Sequence, residues 1–384
     1  MKQYKLAILA SHPIQYQAPL FKAITESGEF DLMVYFAGKG NAAAKAYDSE
    51  FGRDIKWDIP LLEGYRHEFL DSKFELPRRL LLGKVPINAV LILGWNLLEF
   101  ILVFLAAIVS RTPIFLRAEN PLKQELLKKG FAQPIKRSVL RVLFHFVSAF
   151  LYIGKENKEF YEHLGAPPRK LFFVPYAVDN ERFLDDRKRF SPRRSELRKE
   201  LDISKNASVT LFVGKFIPKK RPIDLLRAYA ALTVDNKALV FVGEGELLGA
   251  MKDFVKENKL SDVHFVGFKN QTEVGKYYAI ADVFVLPSGI GETWGLVVNE
   301  AMCFGLPIVT SDMVGCVPDL IIPGATGYTF PLGDVPNLGK ILGDLLNNKE
   351  MRKKLGERSV RHIFSYSFKE DIKGIKSALL RTAP

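Results

Sequence analysis

A chain of 384 residues is too long for one ordinary domain, and its 48% of hydrophobic residues and 28 glycines fit a two-domain α/β protein. The formal net charge of +12 indicates an anionic partner, and the absence of helix-turn-helix, zinc-finger and aromatic RNA-binding motifs argues against nucleic acid. Two cysteines, Cys303 and Cys316, provide no disulfide framework, which fits a reducing, cytoplasmic compartment.

The first strand opens into a loop with polar side chains. Residues 5–10 form a short apolar run that predicts a buried strand, and a helix is expected from about residue 18. A first strand that opens at a helix start is where doubly wound folds bind phosphates or substrates. His12 and Gln15 lie in this loop and are candidates for contacts in a cleft or to an acceptor. A local hydrogen bond within the loop is the alternative for His12.

Residues 90–109 have the length and apolarity of a membrane span. However, Gly94 and Asn96 interrupt the run and Glu99 places a charge within it. We therefore interpret it as a buried strand at residues 89–93, a loop, and a buried helix at residues 96–110.

Two basic segments flank this region. Residues 71–86 contain Arg78, Arg79 and Lys84 among leucines, and residues 121–142 carry six basic side chains against one acid, Glu125. Basic amphipathic segments can bind anionic membranes, so peripheral contact with the inner face of a membrane is one expectation. A helix with a solvated basic face is the alternative.

The strand expected at residues 113–116 ends in a polar group that includes Glu119. Binding sites form at the carboxyl ends of parallel strands, so Glu119 is a candidate site residue. We place the end of the first domain at residue 178. The charged stretch at residues 185–206 fits the start of the second.

The second half repeats the αβ rhythm. The strand at residues 209–213 runs into Gly214 and a basic loop with Lys215 and Lys220, a pattern suited to phosphate contacts. The strand at residues 238–242 ends at Gly243. The strand at residues 263–266 ends at Gly267 and Phe268, whose backbone is a candidate contact for a nucleotide base. Tyr277 and Tyr278 are interpreted as packing residues.

Residues 286–312 predict a loop, a helix and a strand. We expect Thr293 to cap the helix, and the free N–H groups of residues 293–296 to form an anion site. Glu292 precedes the helix and Glu300 lies about 10 Å along its axis at the usual rise per residue. One ligand would use all of these groups. Its diphosphate would bind at the helix start, Glu292 would accept hydrogen bonds from sugar hydroxyls on one side, and Glu300 would accept them from a ribose on the other.

This stretch resembles the donor-binding segment of family 4 retaining glycosyltransferases. The features that carry the resemblance are two glutamates separated by seven residues, Glu292 and Glu300, followed by Ala301-Met302 and a Gly305-Leu306-Pro307 turn. Trp294 replaces the usual phenylalanine. The resemblance is dense from residue 175 to 334 and looser in the first half, where the usual glycine-rich opening is replaced.

The resemblance implies a role for each matched residue. Glu292 would orient the donor sugar and Glu300 would grip the ribose, while Lys215 and Lys220 would neutralise the diphosphate leaving group. The nucleotide-binding set would comprise Thr293, Trp294, Gly295, Leu296, Gly214, Gly243, Gly267 and Phe268. Many relatives have a histidine near residue 119; this chain has none there, and Glu119 is the nearest candidate to replace it.

The fold implied is GT-B: two Rossmann-like domains facing a cleft, at residues 1–178 and 179–365, with a C-terminal helix at residues 366–384 that packs back on the first domain. The activity implied is retaining transfer from a nucleotide-diphosphate sugar, with a UDP-sugar favoured, to a glycan, lipid-linked or small-molecule acceptor. No cofactor is expected, and no metal, since no Asp-x-Asp motif is present. A sugar-nucleotide 2-epimerase and a non-catalytic membrane-surface binding protein are the alternatives.

Overall fold

The computed structural model describes residues 3–37, 46–48 and 53–382. It divides into two compact units. The first contains Met1–Ala46, Ile59–Ala177 and Ser367–Pro384, and the second contains Tyr47–Asp58 and Val178–Tyr366. The main segment of the second unit begins at residue 178. The second unit also includes residues 47–58, which are expected from the sequence in the first domain.

The first unit alternates strands and helices along the chain. Its elements are β1 (Tyr4–Ala10), α1 (Ala18–Glu26), β2 (Phe30–Phe36), β5 (Arg66–Phe69), α2 (Glu75–Leu81), β6 (Ala89–Ile92), α3 (Leu98–Val109), β7 (Ile114–Leu116), α4 (Leu122–Leu127), α5 (Ala132–Phe144), β8 (Ala149–Tyr152), α6 (Lys155–His163), β9 (Leu171–Phe173) and α16 (Phe368–Thr382). The short strands β3 (Ala46–Asp48) and β4 (Arg53–Ile55) lie almost entirely in the segment Tyr47–Asp58 of the second unit, and they pair only with each other among the described residues.

The seven strands of the first sheet are parallel, in the order β5-β2-β1-β6-β7-β8-β9. Alternate residues of β1 face opposite sides: Ala7 and Leu9 pack with α2, α3, α5 and α6, whereas Leu6 and Ile8 pack with α1 and α16. Helices therefore cover both faces, which explains why the strands are apolar throughout. The strand order reverses between β1 and β6, which makes that position the switch point of the sheet.

The second unit repeats this plan. Its elements are α7 (Asn180–Phe190), α8 (Arg194–Lys199), β10 (Ser208–Val213), α9 (Pro222–Ala230), β11 (Lys237–Val242), α10 (Leu248–Glu257), β12 (Val263–Phe265), α11 (Val274–Ile280), β13 (Val283–Leu286), α12 (Leu296–Cys303), β14 (Ile308–Ser311), α13 (Val317–Leu320), β15 (Gly327–Phe330), α14 (Val335–Asn347) and α15 (Lys349–Ile363). The parallel sheet has the order β12-β11-β10-β13-β14-β15, with its switch point between β10 and β13.

The apolar stretch at residues 90–109 forms β6, a loop and the 12-residue helix α3, which confirms the interpretation as strand and helix. The expectation that the helix is buried is wrong for one of its faces, because Leu98, Ile101, Leu105 and Val109 are exposed. None of the helices in the described part of the chain is both long and apolar enough to cross a membrane.

Two helical glycines provide a matched test of the packing. A Cβ on Gly356 in α15 would lie 2.0 Å from the Gly305 carbonyl oxygen, whereas a Cβ on Gly343 in α14 would meet a leucine methyl at 3.7 Å. We expect Gly356→Ala to lower the free energy of unfolding by about 1–3 kcal/mol through overpacking. Gly343→Ala should instead raise it by about 0.5–1 kcal/mol, because alanine loses less backbone entropy in a helix.

Urea unfolding of the two variants measures both effects. Equal changes in the two variants would contradict the close approach of α15 to the Gly305 carbonyl.

Candidate functional site

The loops that follow β10 and β13 meet at the switch point of the second sheet. The loop after β10 includes a 3₁₀ turn, Pro218–Lys220, and the loop after β13 carries Gly289 and Glu292. The Gly289 N–H donates to the Lys219 carbonyl at 2.7 Å, so the two loops are joined through their backbones. Ligands of open α/β sheets bind at this position.

The neighbouring chain turns are packed too closely for side chains. Gly214 and Gly243 have φ of +153° and +143°, and a Cβ on Gly243 would lie 1.9 Å from the Gly214 carbonyl oxygen. The Gly243 N–H donates to the Gly267 carbonyl at 2.9 Å. The three glycines expected at the donor site therefore lie together along the carboxyl edge of β10, β11 and β12. Their backbones are open to close approach by a ligand.

Lys220 and Glu292 form an ion pair and hydrogen bond at the switch point. Their side chains are only 13% and 11% exposed. Burial works to raise the pKa of Glu292, but the charge and hydrogen bond of Lys220 and the charge of Lys219 together hold that pKa below its usual value. Glu292 is thus a buried anion that is stabilised by the Lys220 ammonium group. A phosphate group would be attracted to the same ammonium group.

Glu300 lies in a different environment, although it is on the helix that follows Glu292. It is 8% exposed, and its carboxylate accepts a hydrogen bond from the Tyr278 hydroxyl at 2.7 Å. Burial raises the pKa of Glu300 to about 7, and the Tyr278 hydrogen bond and the charge of Arg182 offset only part of that effect. Tyr278 is buried, as expected of a packing residue, but its hydrogen bond to Glu300 was not predicted.

The helix between the two glutamates begins later than predicted. Its N-cap is Gly295, with φ of +92° and no side-chain hydrogen bond, so the prediction that Thr293 caps the helix is wrong. The chain before the helix packs closely against residues 315 and 316. A Cβ on Gly315 would lie 1.9 Å from the Thr293 carbonyl oxygen, and the Cys316 N–H donates a hydrogen bond to the Trp294 carbonyl at 3.1 Å. Leu296 is the first residue of the helix, and the Val298 N–H of its first turn already donates to the Gly295 carbonyl at 2.8 Å. The anion site expected here is therefore reduced to the N–H groups of Leu296 and Val297, which have no acceptor within the helix.

Trp294 is not available to a ligand through its ring. The side chain is 2% exposed, its indole N–H donates to the Asn299 side chain at 2.9 Å, and the ring packs against Tyr366. Trp294 is expected from the sequence among the nucleotide-binding residues, but only its backbone can contact a nucleotide.

Phe268 lies beside an aromatic partner from the segment at residues 47–58. The rings of Phe268 and Trp57 are 6.2 Å apart between centroids, and the Asn270 amide donates to the Lys56 carbonyl at 2.7 Å. No pattern in the sequence linked Trp57 to this edge of the sheet, because it is more than two hundred positions away. Lys215 is half-buried directly after Gly214.

The first unit contains a cavity of about 440 Å³ at its own switch point. Glu119 lines it and accepts a hydrogen bond from the Tyr176 hydroxyl at 2.5 Å. Arg117 also lines it and pairs with buried Asp371 of α16 at 3.2 Å, and burial raises the pKa of Asp371 to about 7. The C-terminal helix thus supplies the counter-ion for a cation of this cavity.

His12 and Gln15 are not among the residues that line this cavity, whereas Tyr16 and Gln17 are. His12 is exposed, and its ring nitrogen hydrogen-bonds to the Ser11 hydroxyl at 2.9 Å, which is the local alternative stated for it. The loop therefore contributes Ser11, Ile14, Tyr16 and Gln17 to the cavity wall, but not the two residues predicted from the sequence.

Comparison with known proteins finds a family model that matches most of the second unit. The sequence model of the family described as "Glycosyl transferases group 1" matches residues 193–362. The N-acetyl-alpha-D-glucosaminyl L-malate synthase of Bacillus anthracis is 31% identical over 192 residues, which are 50% of this chain and 49% of that protein. A GDP-mannose-dependent phosphatidylinositol monomannoside mannosyltransferase of Mycobacterium tuberculosis is 26% identical over 58% of this chain and 59% of its own length.

Solved structures match over nearly the whole chain. The Anabaena protein HepE in complex with UDP has a TM-score of 0.77 at 16% identity, covering 99% of this chain and 100% of its own. WaaG, a glycosyltransferase involved in lipopolysaccharide biosynthesis, has a TM-score of 0.65 at 17% identity, covering 99% and 100%. These likenesses confirm the GT-B fold class predicted from the sequence. The chain spans about half the length of the Bacillus relative that it matches by sequence.

The environment of Glu300 predicts a pH-dependent stability. Its pKa in the folded chain, about 7, lies above the ordinary value of 4.5, so the folded state binds more protons than the unfolded state between these values. Stability from this group is therefore lost as the pH rises through 7. We expect Glu300→Gln to gain stability relative to the wild type by up to about 3 kcal/mol between pH 5 and pH 8.

Urea unfolding followed by tryptophan fluorescence across this pH range measures the difference. Asp371 titrates near the same pH but is present in both proteins, so its effect cancels. The exposed Glu257→Gln is the matched control, since its side chain stays in water in both states. A pH-independent difference between Glu300→Gln and the wild type would contradict the assignment.

Proposed function

We propose, from the match of residues 193–362 to the sequence model of the glycosyl transferases group 1 family, that the chain is a retaining glycosyltransferase. It transfers a sugar from a nucleotide-diphosphate sugar to an acceptor hydroxyl. The observation that carries the proposal is the buried ion pair of Lys220 and Glu292 at the switch point of the second sheet, next to the start of α12.

The leaving group of such a reaction is a nucleoside diphosphate, whose developing charge must be stabilised. Lys220 and Lys215 lie on the loop after β10, and the N–H groups at the start of α12 add a positive end of a helix dipole. A diphosphate bound here takes over Lys220 as its cation. Glu292 is then released to accept hydrogen bonds from hydroxyls of the donor sugar.

The nucleoside is assigned to the other side of the diphosphate. Glu300 would accept the ribose hydroxyls, and the Gly267–Phe268 backbone would contact the base. We favour UDP as the nucleotide. The Anabaena structural neighbour contains UDP, whereas the mycobacterial relative is named for GDP-mannose, so donors differ among proteins similar to this chain.

The proposed chemistry is a front-face displacement. The bond from the anomeric carbon to the phosphate oxygen breaks, the acceptor oxygen bonds to the same face of that carbon, and the acceptor proton passes to the departing phosphate. Neither glutamate is assigned as a nucleophile: Glu292 accepts hydrogen bonds from hydroxyls of the donor sugar, and Glu300 is assigned to the ribose. Charge neutralisation by Lys215, Lys220 and the helix start would make the reaction independent of metal.

The acceptor is assigned to the cavity of the first unit. Its wall combines an aromatic residue, Trp95, with polar groups such as Glu119 and Asn96, a mixture suited to hydroxyl-rich ligands. Glu119, the nearest candidate to replace the histidine of many relatives, would act as a cleft residue. We propose a glycan or lipid-linked acceptor, with the protein working in the cytoplasm at the inner face of the membrane.

Nucleotide binding tests the donor site. Calorimetric titration in EDTA should detect UDP binding that is tighter than GDP binding. Glu300→Gln should weaken UDP binding by about tenfold to a hundredfold, because hydrogen bonds to a charged acceptor are lost. Lys220→Met should weaken it at least as much, whereas Lys353→Met, an exposed lysine in α15, should leave it unchanged.

The pH dependence separates a ligand role for Glu300 from a packing role. Ribose hydroxyls favour the ionised carboxylate, so UDP affinity should increase as the pH rises through 7 in the wild type. The phosphate also titrates near this range, but it does so equally in Glu300→Gln, where the additional dependence should be absent. If neither Lys220→Met nor Glu300→Gln changes the affinity for UDP, the assignment of the donor site is wrong.

A further inference from the structure

The exposed large apolar side chains of this protein are concentrated in one segment. Of eighteen such residues in the described part of the chain, fourteen lie between Phe74 and Phe146. They are Phe74, Leu81, Leu82, Leu98, Ile101, Leu105, Val109, Leu126, Leu127, Phe131, Ile135, Val139, Val142 and Phe146. Scattered single residues need no explanation, but a concentration of this kind indicates an interaction surface.

Helix α5 and its flanks carry the clearest part of this surface. Phe131, Ile135, Val139, Val142 and Phe146 recur at intervals of four, four, three and four, which places them on one helix face. Phe131 is 97% exposed. The same helix buries other apolar side chains in the core of the first unit, so it has two apolar faces and only one is covered.

Helix α3 repeats the pattern. Leu98, Ile101, Leu105 and Val109 recur at intervals of three, four and four and are all exposed. Both helices, together with α2, pack against the same face of the first sheet. Because their buried faces point toward the sheet, their apolar exposed faces point outward on the same side of the unit.

Basic side chains accompany these apolar residues. Residues 71–146 contain twelve lysines and arginines against five acids. Those that are exposed are Lys73, Arg78, Lys84, Arg111, Lys123, Lys128, Lys129 and Arg141. Among the five acids, only Asp71 is exposed to solvent. Glu125, for example, is buried and forms ion pairs with Lys128 and Lys136. The exposed charge around the apolar stripes is therefore positive.

We propose that this surface, formed by the outward faces of α2, α3 and α5 and the segment Leu126–Phe131, docks the protein on an anionic phospholipid bilayer. The apolar stripes enter the boundary between headgroups and acyl chains, and the flanking cations contact the anionic headgroups. A second copy of this chain is disfavoured as the occupant, because it would bring the same positive charge into contact with itself.

This inference rests on the proposed function in one respect: it names the surface that would present a lipid-linked acceptor. Lys136 of α5 lines the first-unit cavity, so the docking helix also forms part of the wall of the proposed acceptor site. An acceptor anchored in the bilayer would then have its sugar close to that wall.

Vesicle sedimentation of the full chain, without any sugar nucleotide, tests the docking surface. The protein should co-sediment with vesicles of phosphatidylcholine mixed with phosphatidylglycerol about tenfold or more better than with phosphatidylcholine alone, and added salt should weaken this binding. The double variant Phe131→Ser/Ile135→Ser should lose about tenfold or more in affinity through lost apolar burial. Lys129→Glu/Arg141→Glu should lose a similar amount.

Matched controls are available in the second unit. Ile322→Ser/Phe364→Ser removes two exposed apolar side chains, and Lys353→Glu/Lys354→Glu reverses two exposed charges, and neither should alter vesicle binding. UDP titration of every variant in solution should be unchanged, which separates failure of this inference from failure of the proposed function.

Three results would overturn the proposal: no binding of the wild type to anionic vesicles, equal binding by the surface variants and their controls, or binding that ignores phosphatidylglycerol. Dimers that dissociate in Phe131→Ser/Ile135→Ser, seen by analytical ultracentrifugation, with no vesicle binding, would assign the surface to self-association instead.

Discussion

The ion pair between Lys220 and Glu292 is the interaction on which the candidate site depends. It joins the loops that follow β10 and β13 across the switch point, and most of both side chains is withdrawn from water. Removing two charges from water costs free energy, which the attraction between them must offset. Loss of Lys220 would remove the largest favourable charge interaction of the buried Glu292 carboxylate and leave only part of its burial cost offset, so the pair helps to keep both loops in place. The arriving diphosphate therefore meets a cation that is already positioned.

The two glutamates of the donor segment show how environment divides similar groups between roles. Glu292 faces a lysine, which holds its pKa below the usual value despite burial. Glu300 faces a tyrosine hydroxyl, which offsets burial only in part and leaves its pKa at about 7. One carboxylate is a fixed anion at neutral pH, and the other is balanced between its charged and neutral forms. A ligand that donates hydrogen bonds shifts that balance.

Both sheets have a switch point at which the strand order reverses, but different kinds of residues surround it in the two units. In the second unit, glycines bring three chain turns close together, which favours a flat, charged ligand held by backbone groups. In the first unit, larger side chains surround a cavity, and α16 contributes Asp371 as the buried partner of Arg117. The last helix of the chain is thus part of the electrostatics of the first unit as well as of its core.

The sequence by itself determined which elements form and which loops meet. Apolar strands followed by glycine and charged residues must converge at one sheet edge in a doubly wound fold, and Gly214, Lys220 and Glu292 do so. The tertiary structure decided where the remaining side chains point. Gly295 caps the helix in place of Thr293, whose carbonyl lies against Gly315, a residue more than twenty positions further along the chain. Tyr278 meets Glu300, and Tyr16 and Gln17 rather than His12 and Gln15 reach the first-unit cavity. Such orientations depend on contacts between residues far apart in the chain, and local pattern carries no information about them.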